Sequence, residues 1–252
     1  MKGVILAGGH GKRLYPLTAV TNKHILPIGN LPMIEYPFYT MRNLQVDSIS
    51  VVTGGEHFED IAEYFGTVHS DIINKISFHY QDEPKGIPHA IAYTEKFVGK
   101  EKLAVILGDN IFEDGFYEAA KRFENSNLGA MIFLKAVPDV HRFGVVEIKN
   151  GKIISIEEKP QHPKSDLAIT GLYFFDNTVF DKIRKLKPSP PPRSELEVTE
   201  LIDLYIKEGR ADFSIVDGYW SDAGKPEVRQ RCEEFVAKGL EQIIWRSIKP
   251  KL

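Results

Sequence analysis

A glycine-rich segment near the amino terminus has residue types that could bind an anion. Its sequence, GVILAGGHGKRLYPLT, leads from a short apolar run into Gly8, Gly9 and Gly11 and then into Lys12 and Arg13. Glycine allows positive φ angles and a close approach of the main chain to a ligand, and N–H groups of a loop between a strand and a helix point towards phosphate. The segment is therefore predicted to hold the phosphates of a ligand.

Two common phosphate-binding loops do not match this segment. The dinucleotide fingerprint requires glycine at the position of Leu14, and no acidic residue that could bind a ribose ends the second predicted strand. A Walker loop requires glycine at the position of Leu6 and a hydroxyl side chain at the position of Arg13. The loop is therefore of a third kind.

Two aspartates that lie far apart in the sequence could share a metal ion. Asp109 follows an apolar run in VILGDNIF, and ligands of open α/β sheets lie outside the carboxyl ends of the strands. Asp222 stands shortly before a glycine in GYWSDAGKPE. Magnesium prefers oxygen ligands, usually one or two carboxylates with phosphate oxygens and water. Either aspartate taken alone fits a helix cap or a turn equally well.

Composition limits the class of protein. The 252 residues, 42 % hydrophobic and 27 % charged, can form one domain with a sizeable core. The formal net charge of −3 excludes a broad basic surface, so no nucleic-acid partner is expected. The single cysteine, Cys232, cannot form an internal disulfide, and no apolar run approaches the roughly 18 residues of a membrane span. A cytoplasmic protein without a membrane partner is expected.

The hydrophobic pattern predicts the elements that must position these residues. Short β-branched runs alternate with longer amphipathic stretches through the first half of the chain. The predicted strands are 3–6, 48–53, 76–80 and 103–107, and the predicted helices are 33–44, 57–65 and 88–97. Such alternation is typical of parallel βαβ units covered on both faces, so an α/β fold with a doubly wound, mostly parallel sheet is predicted.

The second half of the chain has an antiparallel pattern. After a strand at 130–136, Asn150 and Gly151 separate two alternating segments, which is the signal of a type I′ hairpin. A further apolar run at 167–175 predicts another strand, and a helix is predicted from about residue 226. We expect this half to form an antiparallel extension of the first.

The opening segment also fits the pattern L-A-G-G-x-G-x-R-L-x-P-L-T, followed after a few residues by Lys23 and Pro27. On these residues the chain resembles the sugar-1-phosphate nucleotidylyltransferases, and among them the glucose-1-phosphate thymidylyltransferases. The resemblance implies a Rossmann-like nucleotidyltransferase fold with an antiparallel sugar-binding extension. It implies one domain over residues 1–252, with a nucleotide-binding part (1–128), a sugar-phosphate-binding part (129–225) and a C-terminal helix and tail (226–252).

The resemblance implies a reaction. A pyrimidine nucleoside triphosphate, with dTTP as first choice, would give its nucleotidyl group to glucose 1-phosphate, forming dTDP-glucose and pyrophosphate with Mg²⁺ as cofactor. The attacking oxygen belongs to a phosphate, so no general base is required. A triphosphate carries about four negative charges, more than loop dipoles offset, so Arg13 and Lys23 are expected to be the catalytic cations.

The resemblance also implies contacts with the nucleotide. They involve the glycine loop, the stretch YQDEPKGIPHA and the first aspartate, namely Leu6, Ala7, Gly8, Gly9, Gly11, Gln81, Pro84, Gly86 and Asp109. The amide of Gln81 can both donate to and accept from a pyrimidine edge. Asp109 and Asp222 would share the Mg²⁺ ion. Pro88 and His89 depart from the small or amide residues that are common there in the resembled enzymes.

The sugar phosphate is expected under the antiparallel part. The residues implied for it are Asn110, Gly144, Glu158, Lys159, Thr170, Gly171, Arg193 and Glu195. Glu158 would bind sugar hydroxyls and Lys159 the sugar phosphate. The segment PRSELEVTE departs from the family's glycine-containing form through its preceding prolines and through Ser194.

Three alternatives stay open on the sequence alone. The chain could use UTP or serve another hexose 1-phosphate as a uridylyltransferase, since one methyl group distinguishes thymine from uracil. It could be a catalytically silent homologue that senses a nucleotide, or an oxidoreductase that binds NAD. A homo-oligomer is expected, because Ile243, Ile244 and Trp245 are apolar residues of a predicted surface tail.

Overall fold

The computed structural model describes residues 1–113 and 115–248 of the chain. Residues 249–252, the end of the predicted tail, lie outside the described residues. The described strands are β1 (Lys2–Ala7), β2 (Pro27–Ile28), β3 (Leu31–Pro32), β4 (Ile49–Thr53), β5 (Ile76–Tyr80), β6 (Leu103–Leu107), β7 (Asn110–Phe112), β8 (Ala130–Ala136), β9 (Gly144–Lys149), β10 (Lys152–Glu158), β11 (Leu167–Phe175), β12 (Ala211–Ile215) and β13 (Trp220–Asp222). The described helices are α1 (Glu35–Asn43), α2 (Glu59–Val68), α3 (Ile87–Ala92), α4 (Glu95–Val98), α5 (Tyr117–Glu124), α6 (Val179–Ile183), α7 (Val198–Lys207), α8 (Pro226–Val236) and α9 (Leu240–Ser247).

One large sheet, with nine strands among the described residues, forms the centre of the fold. Its order is β10-β9-β11-β6-β1-β4-β5, with β8 paired to β11 and β12 paired to β8. β1 runs parallel to β4 and β6, and β4 runs parallel to β5. The predicted parallel centre is confirmed. β11 joins it antiparallel to β6, and β9 and β10 continue from β11, so the predicted extension is part of the same sheet.

The apolar run of β1 is explained by burial on both faces of the sheet. Val4 and Leu6 belong to one hydrophobic cluster, whereas Ile5 and Ala7 belong to the cluster on the opposite face. Side chains alternate between the two faces of a strand, so both faces need apolar residues. Full burial of one such aliphatic side chain contributes about 1.5–3 kcal/mol. The strand that leads into the glycine loop is thus fixed from both sides.

The hairpin between β9 and β10 has the turn that the sequence predicts. Asn150 and Gly151 both have positive φ angles, of 53° and 71°. Two consecutive positive φ angles define the type I′ turn, whose twist matches that of the flanking strands.

The helix predicted at 88–97 is two short helices, α3 and α4. Both the main-chain N–H and the hydroxyl of Thr94 donate to the carbonyl of Ile91, at 2.9 and 2.7 Å. That carbonyl would otherwise accept the helical hydrogen bond from Glu95. The side chain of Thr94 therefore interrupts the helix at a point that hydrophobic periodicity does not reveal.

The predicted C-terminal helix is also divided in two. α8 ends at Val236, and Gly239, with a φ of 148°, leads into α9. Ile244 is buried with residues of α8 and β2, whereas Ile243 and Trp245 are 54 % and 56 % exposed. None of the helices within 1–113 and 115–248 combines the length and apolar character needed to cross a bilayer.

Candidate active site

The glycine loop leaves β1 at the carboxyl edge of the sheet. Gly9 and Gly11 have φ angles of 92° and 60°, which favour glycine. A Cβ on Gly11 would lie 2.7 Å from Cγ2 of Thr18. The next residues form one 3-10 turn, Lys12–Leu14, and not an α helix. Phosphate binding here would therefore depend on loop N–H groups and nearby cations, not on a helix dipole.

The residues before the glycines connect this loop to the strand that carries Asp109. Leu6 and Ala7 are buried, and the carbonyl of Leu6 accepts a hydrogen bond from Gly108 N at 2.8 Å. A Cβ on Gly108 would lie 2.8 Å from Cδ2 of His24. Burial and then the charge of Lys23 lower the pKa of His24 well below its ordinary value, so this imidazole is a neutral packing group.

Asp109 and Asp222 meet although they are distant in the sequence. Asp109 lies between β6 and β7, and Asp222 ends β13, whose antiparallel pairing with β7 sets Asp222 opposite Asn110. A Cβ on Gly224 would lie 3.0 Å from Asp109 Oδ2 and 3.0 Å from Asp222 Oδ1. One point in space is therefore close to an oxygen of each carboxylate. The structure brings together the pair that the sequence proposes as metal ligands.

The ammonium of Lys23 lies beside this pair, with Nζ 2.8 Å from Asp109 Oδ2. Burial raises the pKa of Asp109, but the charge of Lys23 and the hydrogen bonds from Lys23 and Asn110 outweigh it and lower the pKa to about 2. Burial and the charge of Asp109 raise the pKa of Asp222. Ionisation of Asp222 beside the ionised Asp109 is unfavourable. A further cation between the two carboxylates would stabilise their ionised forms.

The donor set of the aspartate pair fits a divalent cation with a preference for oxygen. Mg²⁺ usually takes one or two carboxylates and completes its coordination with phosphate oxygens and water. No group of three or more His, Cys, Asp or Glu side chains among the described residues could hold a metal ion. A cation at this pair would therefore need oxygen atoms from a bound ligand.

A cavity of about 480 Å³, here called the first cavity, opens beside the aspartate pair. The predicted site residues that line it are Arg13, Asn110, Gly144, Glu158, Lys159, Thr170, Gly171 and Asp222. The hydroxyl of Thr170 is buried and has no hydrogen-bond partner within the part of the chain that the structure describes. Buried hydroxyl groups normally have a partner, so this one is suited to a polar group of a ligand.

Asn110 connects three elements of the site. Its Oδ1 accepts hydrogen bonds from Gly171 N at 3.0 Å and from Trp220 Nε1 at 2.7 Å. Its Nδ2 donates to Asp109 Oδ1 at 3.1 Å. A Cβ on Gly171 would lie 2.5 Å from the side chain of Asn110. Glycine is therefore required here by the Asn110 side chain of the protein itself, and not by a ligand. Asn110 thus positions Asp109, in addition to lining the first cavity.

Glu158 is surrounded by hydrogen-bond donors at the wall of the first cavity. Lys159 Nζ lies 3.1 Å and Arg193 Nη1 3.3 Å from Glu158 Oε1. The hydroxyl of Thr199 donates to Oε2 at 3.3 Å. These contacts hold the carboxylate at the end of β10, with one face towards the cavity.

Arg193 and Glu195, which the resemblance implies for the sugar, are not among the described residues that line the first cavity, and their contact with a sugar stays a prediction. Arg193 is paired with Glu158 and with Glu197, whose Oε1 lies 3.4 Å from Nη1. Glu195 is held through its main chain, which donates to Ser189 Oγ at 3.3 Å and accepts from Ser189 N at 2.8 Å. The Arg193 side chain is thus bound to two carboxylates, and the main chain of Glu195 is bound to Ser189.

Gln81 follows β5, and its side chain is buried between the predicted base-binding stretch and the glycine loop. Nε2 lies 2.9 Å from His89 Nδ1. A Cβ on Gly8 would lie 2.9 Å from Oε1 of Gln81. The amide is therefore adjacent to the loop, as a contact with a nucleobase requires.

Pro84 and Gly86 are on the loop between Gln81 and α3. Pro84 is exposed. Gly86 has a φ of 101°, and a Cβ on it would lie 2.1 Å from the carbonyl oxygen of Leu196. The close approach that requires glycine at this position is thus to the main chain of Leu196, and the implied contact of Gly86 with the nucleotide stays a prediction.

A second cavity, of about 600 Å³, lies next to the glycine loop. It is lined by Gly9, His10, Lys12, Tyr15, Thr18, Ala19, Thr21, Asn22, Lys23 and Glu56. Lys23 lines this second cavity, whereas Arg13 lines the first. The two predicted catalytic cations therefore belong to two neighbouring spaces at the carboxyl edge of the sheet.

Several residues of the first cavity were missed by the sequence reasoning. They are His141, Arg142, Thr199, Trp220 and Lys225. Lys225 had a usable signal, because a lysine directly after W-S-D-A-G adds a cation close to Asp222. The other four reach the cavity through tertiary contacts that no local pattern indicates.

Comparison with known sequences gives the relatives of this chain. The sequence model of the family described as Nucleotidyl transferase matches residues 2–238. The chain is 38 % identical to the glucose-1-phosphate thymidylyltransferase of Neisseria meningitidis serogroup A, over 98 % of this chain and 90 % of that protein. It is 36 % identical to the protein of the same name from Mycolicibacterium smegmatis, over 98 % of this chain and 89 % of that protein.

Solved structures show the same similarity. A Bacillus anthracis protein that was assigned as a glucose-1-phosphate thymidylyltransferase and crystallised with sucrose superposes with a TM-score of 0.86 at 42 % identity, covering 93 % of this chain and 94 % of that one. A UDP-glucose pyrophosphorylase in complex with UDP-glucose superposes with a TM-score of 0.82 at 26 % identity, covering 94 % and 98 %.

Proposed function

Because the chain belongs to the nucleotidyl transferase family, we propose that it transfers a thymidylyl group from dTTP to glucose 1-phosphate, forming dTDP-glucose and pyrophosphate. Relatives with the name of this activity cover nearly the whole chain at 36–38 % identity. The observation that carries the proposal is the aspartate pair with Lys23 between the glycine loop and the first cavity. This arrangement offers a place for a triphosphate, a divalent cation and a second phosphate side by side.

Asp109 and Asp222 would hold the divalent cation, for which we propose Mg²⁺. When bound, the ion neutralises negative charge on the phosphates. The two carboxylates would hold it beside the first cavity, because the pairing of β13 with β7 and the hydrogen bond from Asn110 fix their positions. The ammonium of Lys23, which pairs with Asp109 in this structure, becomes available to a phosphate oxygen.

The reaction would join two phosphates in line. An oxygen of the sugar 1-phosphate attacks the α-phosphorus, and the bond from that phosphorus to the oxygen of pyrophosphate breaks. No proton must be removed from the attacking oxygen, so the protein's contribution is positioning and stabilisation of charge. Arg13 in the first cavity would contact the α-phosphate, and Lys23 in the second would contact the departing pyrophosphate.

The remaining predicted residues would bind the two substrates. The main chain of the glycine loop would hold the triphosphate, and Gln81 beside Gly8 would contact the base. In the first cavity, the buried hydroxyl of Thr170 and the carboxylate of Glu158 would bind sugar hydroxyls, and Lys159 would bind the sugar phosphate. Arg193 would act only through Glu158, which it holds in place.

Pyrophosphate release with glucose 1-phosphate, Mg²⁺ and each nucleoside triphosphate in turn tests the proposal. We expect dTTP to give the highest kcat/KM. Asp222→Asn should lower turnover by about 10²–10³-fold, the usual cost of removing a group that acts on developing charge. Asp217→Asn, an exposed aspartate close in sequence, is the matched control and should leave turnover unchanged. Nucleotide binding without pyrophosphate release would contradict the proposal and favour a sensor.

UTP is the second candidate donor. The structural similarity to a UDP-glucose pyrophosphorylase, with a TM-score of 0.82, favours it specifically. The same assay decides, because a higher kcat/KM with UTP than with dTTP would replace thymidylyl by uridylyl transfer while leaving the roles of the phosphate-binding residues unchanged.

We also propose a homo-oligomer in the cytoplasm. Ile243 and Trp245 on α9 are more than half exposed, and large apolar side chains exposed on a surface favour association. Size-exclusion chromatography with light scattering should show a mass above 28.5 kDa, and a Trp245→Glu variant should reduce it. A monomer at micromolar concentration would contradict this part of the proposal.

A further inference from the structure

The first cavity contains a cation, Lys225, to which the proposed reaction gives no role. Lys225 lines this cavity together with Arg13 and Lys159. It stands shortly after Asp222, directly before α8, and its side chain is only partly exposed. A positive charge is thus present in the space where the proposed reaction brings two phosphates together.

Within the described part of the chain, the ammonium of Lys225 makes no ion pair or hydrogen bond. The other lysine of the cavity differs, because Lys159 Nζ lies 3.1 Å from Glu158 Oε1. Arg142 is also paired, with its Nη1 3.9 Å from Asp139 Oδ2. A cation at the wall of a cavity that has no carboxylate partner is suited to bind an anionic ligand.

The main chain around Lys225 is fixed on both sides. Its carbonyl accepts a hydrogen bond from Arg229 N at 3.0 Å, in the first turn of α8. On the other side, Ala223 N donates to the carbonyl of Asp109 at 2.8 Å. The side chain of Lys225 therefore extends from a segment that is hydrogen-bonded to the first aspartate of the pair and that carries the second.

The position of Lys225 favours the sugar phosphate over the triphosphate as its ligand. The second cavity, beside the glycine loop and Lys23, does not include Lys225 among its described residues. Lys225 instead shares the first cavity with Glu158 and Thr170, the groups proposed for the sugar hydroxyls. A phosphate on a sugar held there must point towards the aspartate pair, because it attacks the α-phosphorus beside the cation. Lys225 lies on that side of the cavity.

The charge of the sugar phosphate calls for more than one cation. A phosphate monoester carries a charge of about −1.5 to −2 at pH 7. Lys159, which is proposed to bind it, also pairs with Glu158. The attack brings this phosphate against the anionic triphosphate, and nearby cations must offset the repulsion between the two anions. A second ammonium on the side of Asp222 supplies such a charge.

From these observations we infer that Lys225 binds the phosphate of the sugar 1-phosphate, together with Lys159. The inference rests on the proposed function, in which that phosphate is the attacking group. The contact forms when the sugar phosphate binds and persists during the attack. A contact that is equally strong in both states acts on KM and not on kcat.

The test is pyrophosphate release, with each substrate varied while the other is saturating. Lys225→Met keeps an unbranched stem and removes the charge. It should raise the KM for glucose 1-phosphate about tenfold, the worth of one charge-assisted hydrogen bond, and leave the KM for dTTP within about twofold. Lys225→Arg keeps the charge and should hold the KM for glucose 1-phosphate within about threefold of wild type. Lys238→Met, at an exposed lysine just after α8, is the matched control and should change neither constant.

Four results would overturn the inference. An unchanged KM for glucose 1-phosphate in Lys225→Met, whether or not kcat falls, would remove the lysine from binding of the sugar phosphate. An equal rise in the KM for dTTP would assign the ammonium to the triphosphate. Equal losses in the Met and Arg variants would exclude a role of the charge. Unfolding of Lys225→Met at a lower urea concentration than wild type would show that the ammonium has a partner within the protein.

Failure of the proposed function shows separately, as a wild-type protein that releases no pyrophosphate with any nucleoside triphosphate. The contact of Lys225 is then tested alone, by calorimetry with glucose 1-phosphate. Binding about tenfold weaker in Lys225→Met than in wild type would support the contact, and equal binding in the two proteins would overturn it.

Discussion

The proposed reaction gives Lys23 two partners in turn, the carboxylate of Asp109 and the leaving pyrophosphate. Replacing Lys23 by methionine tests both contacts. In the structure the ammonium lies 2.8 Å from Asp109 Oδ2, and both side chains are largely buried. When phosphates and a divalent cation bind, we expect the ammonium to exchange this carboxylate for an oxygen of the leaving pyrophosphate. Methionine keeps an unbranched stem of similar length and removes only the charge.

The expected magnitudes follow from the electrostatics of Asp109. Its pKa falls from an ordinary 3.8 to about 2 although burial raises it, and Lys23 is the largest favourable cause. One pKa unit is worth about 1.36 kcal/mol, so the ionised carboxylate gains about 2 kcal/mol from its surroundings. Without the competing ammonium, the aspartate pair should bind Mg²⁺ more tightly in the absence of nucleotide, because like charges repel. Turnover should nevertheless fall by about 10²–10³-fold.

The assay is pyrophosphate release at saturating dTTP, with glucose 1-phosphate varied. We expect kcat to fall while the KM for glucose 1-phosphate stays within about twofold, because the lysine contacts the leaving group and not the sugar. Mg²⁺ affinity is measured by calorimetry on the protein alone. Lys149→Met, at an exposed strand end, is the control for loss of a surface charge.

Two results would refute this reasoning. A kcat within about threefold of wild type would remove Lys23 from the reaction. A KM for glucose 1-phosphate that rises as much as kcat falls would assign the ammonium to the sugar phosphate instead. Weaker Mg²⁺ binding in the variant would further show that the lysine supports the metal site and does not compete with the ion.

Three other substitutions test other parts of the site. Thr170→Val should raise the KM for glucose 1-phosphate about fivefold with little change in kcat, because it removes an unpartnered hydroxyl from the first cavity; steady-state kinetics decide. Trp220→Phe removes the 2.7 Å hydrogen bond to Asn110 and should lower the free energy of unfolding by about 1 kcal/mol, measured in urea. Asp222 has a raised pKa, so its folded-state penalty is absent below about pH 4 and grows as pH rises through the folded-state pKa. Asp222→Asn should therefore stabilise the metal-free protein at pH 7 but not at pH 3, a difference that urea unfolding at the two values would reveal.

The parallel centre of the sheet could be predicted because its signals are local. The runs that became β1, β4 and β6 are mostly apolar, since both faces of each strand are buried. The turn at Asn150 and Gly151 depends on the φ preferences of two residues only. In the strands and in this turn, the residue types themselves favour the observed backbone conformation. The conformation can therefore be predicted from the sequence.

Part of the site could be predicted for the same reason. Asp109 stands at the end of a buried parallel strand, which places it at the edge where ligands of such sheets bind. Asp222 has no such signal, and its pairing with Asp109 was argued chiefly from the family resemblance. The structure adds the physical reason, which is the short antiparallel pairing of β13 with β7.

The contacts that could not be predicted depend on partners distant in the sequence. Trp220 donates to Asn110 across 110 positions, and Gly86 is required by the carbonyl of Leu196. Arg193 pairs with Glu158 and Glu197, because the loop that carries it is anchored elsewhere. Many pairs of residues in the sequence could form a hydrogen bond, an ion pair or a close contact of this kind. Which of them do so depends on the tertiary structure.

The pairing of β13 with β7 has a consequence for how the protein is made. A ribosome completes the strands of the parallel centre and the glycine loop long before it reaches Asp222. A nascent chain, or a fragment cleaved after β12, would lack the second carboxylate. The aspartate pair is therefore complete only once the chain has been synthesised as far as β13.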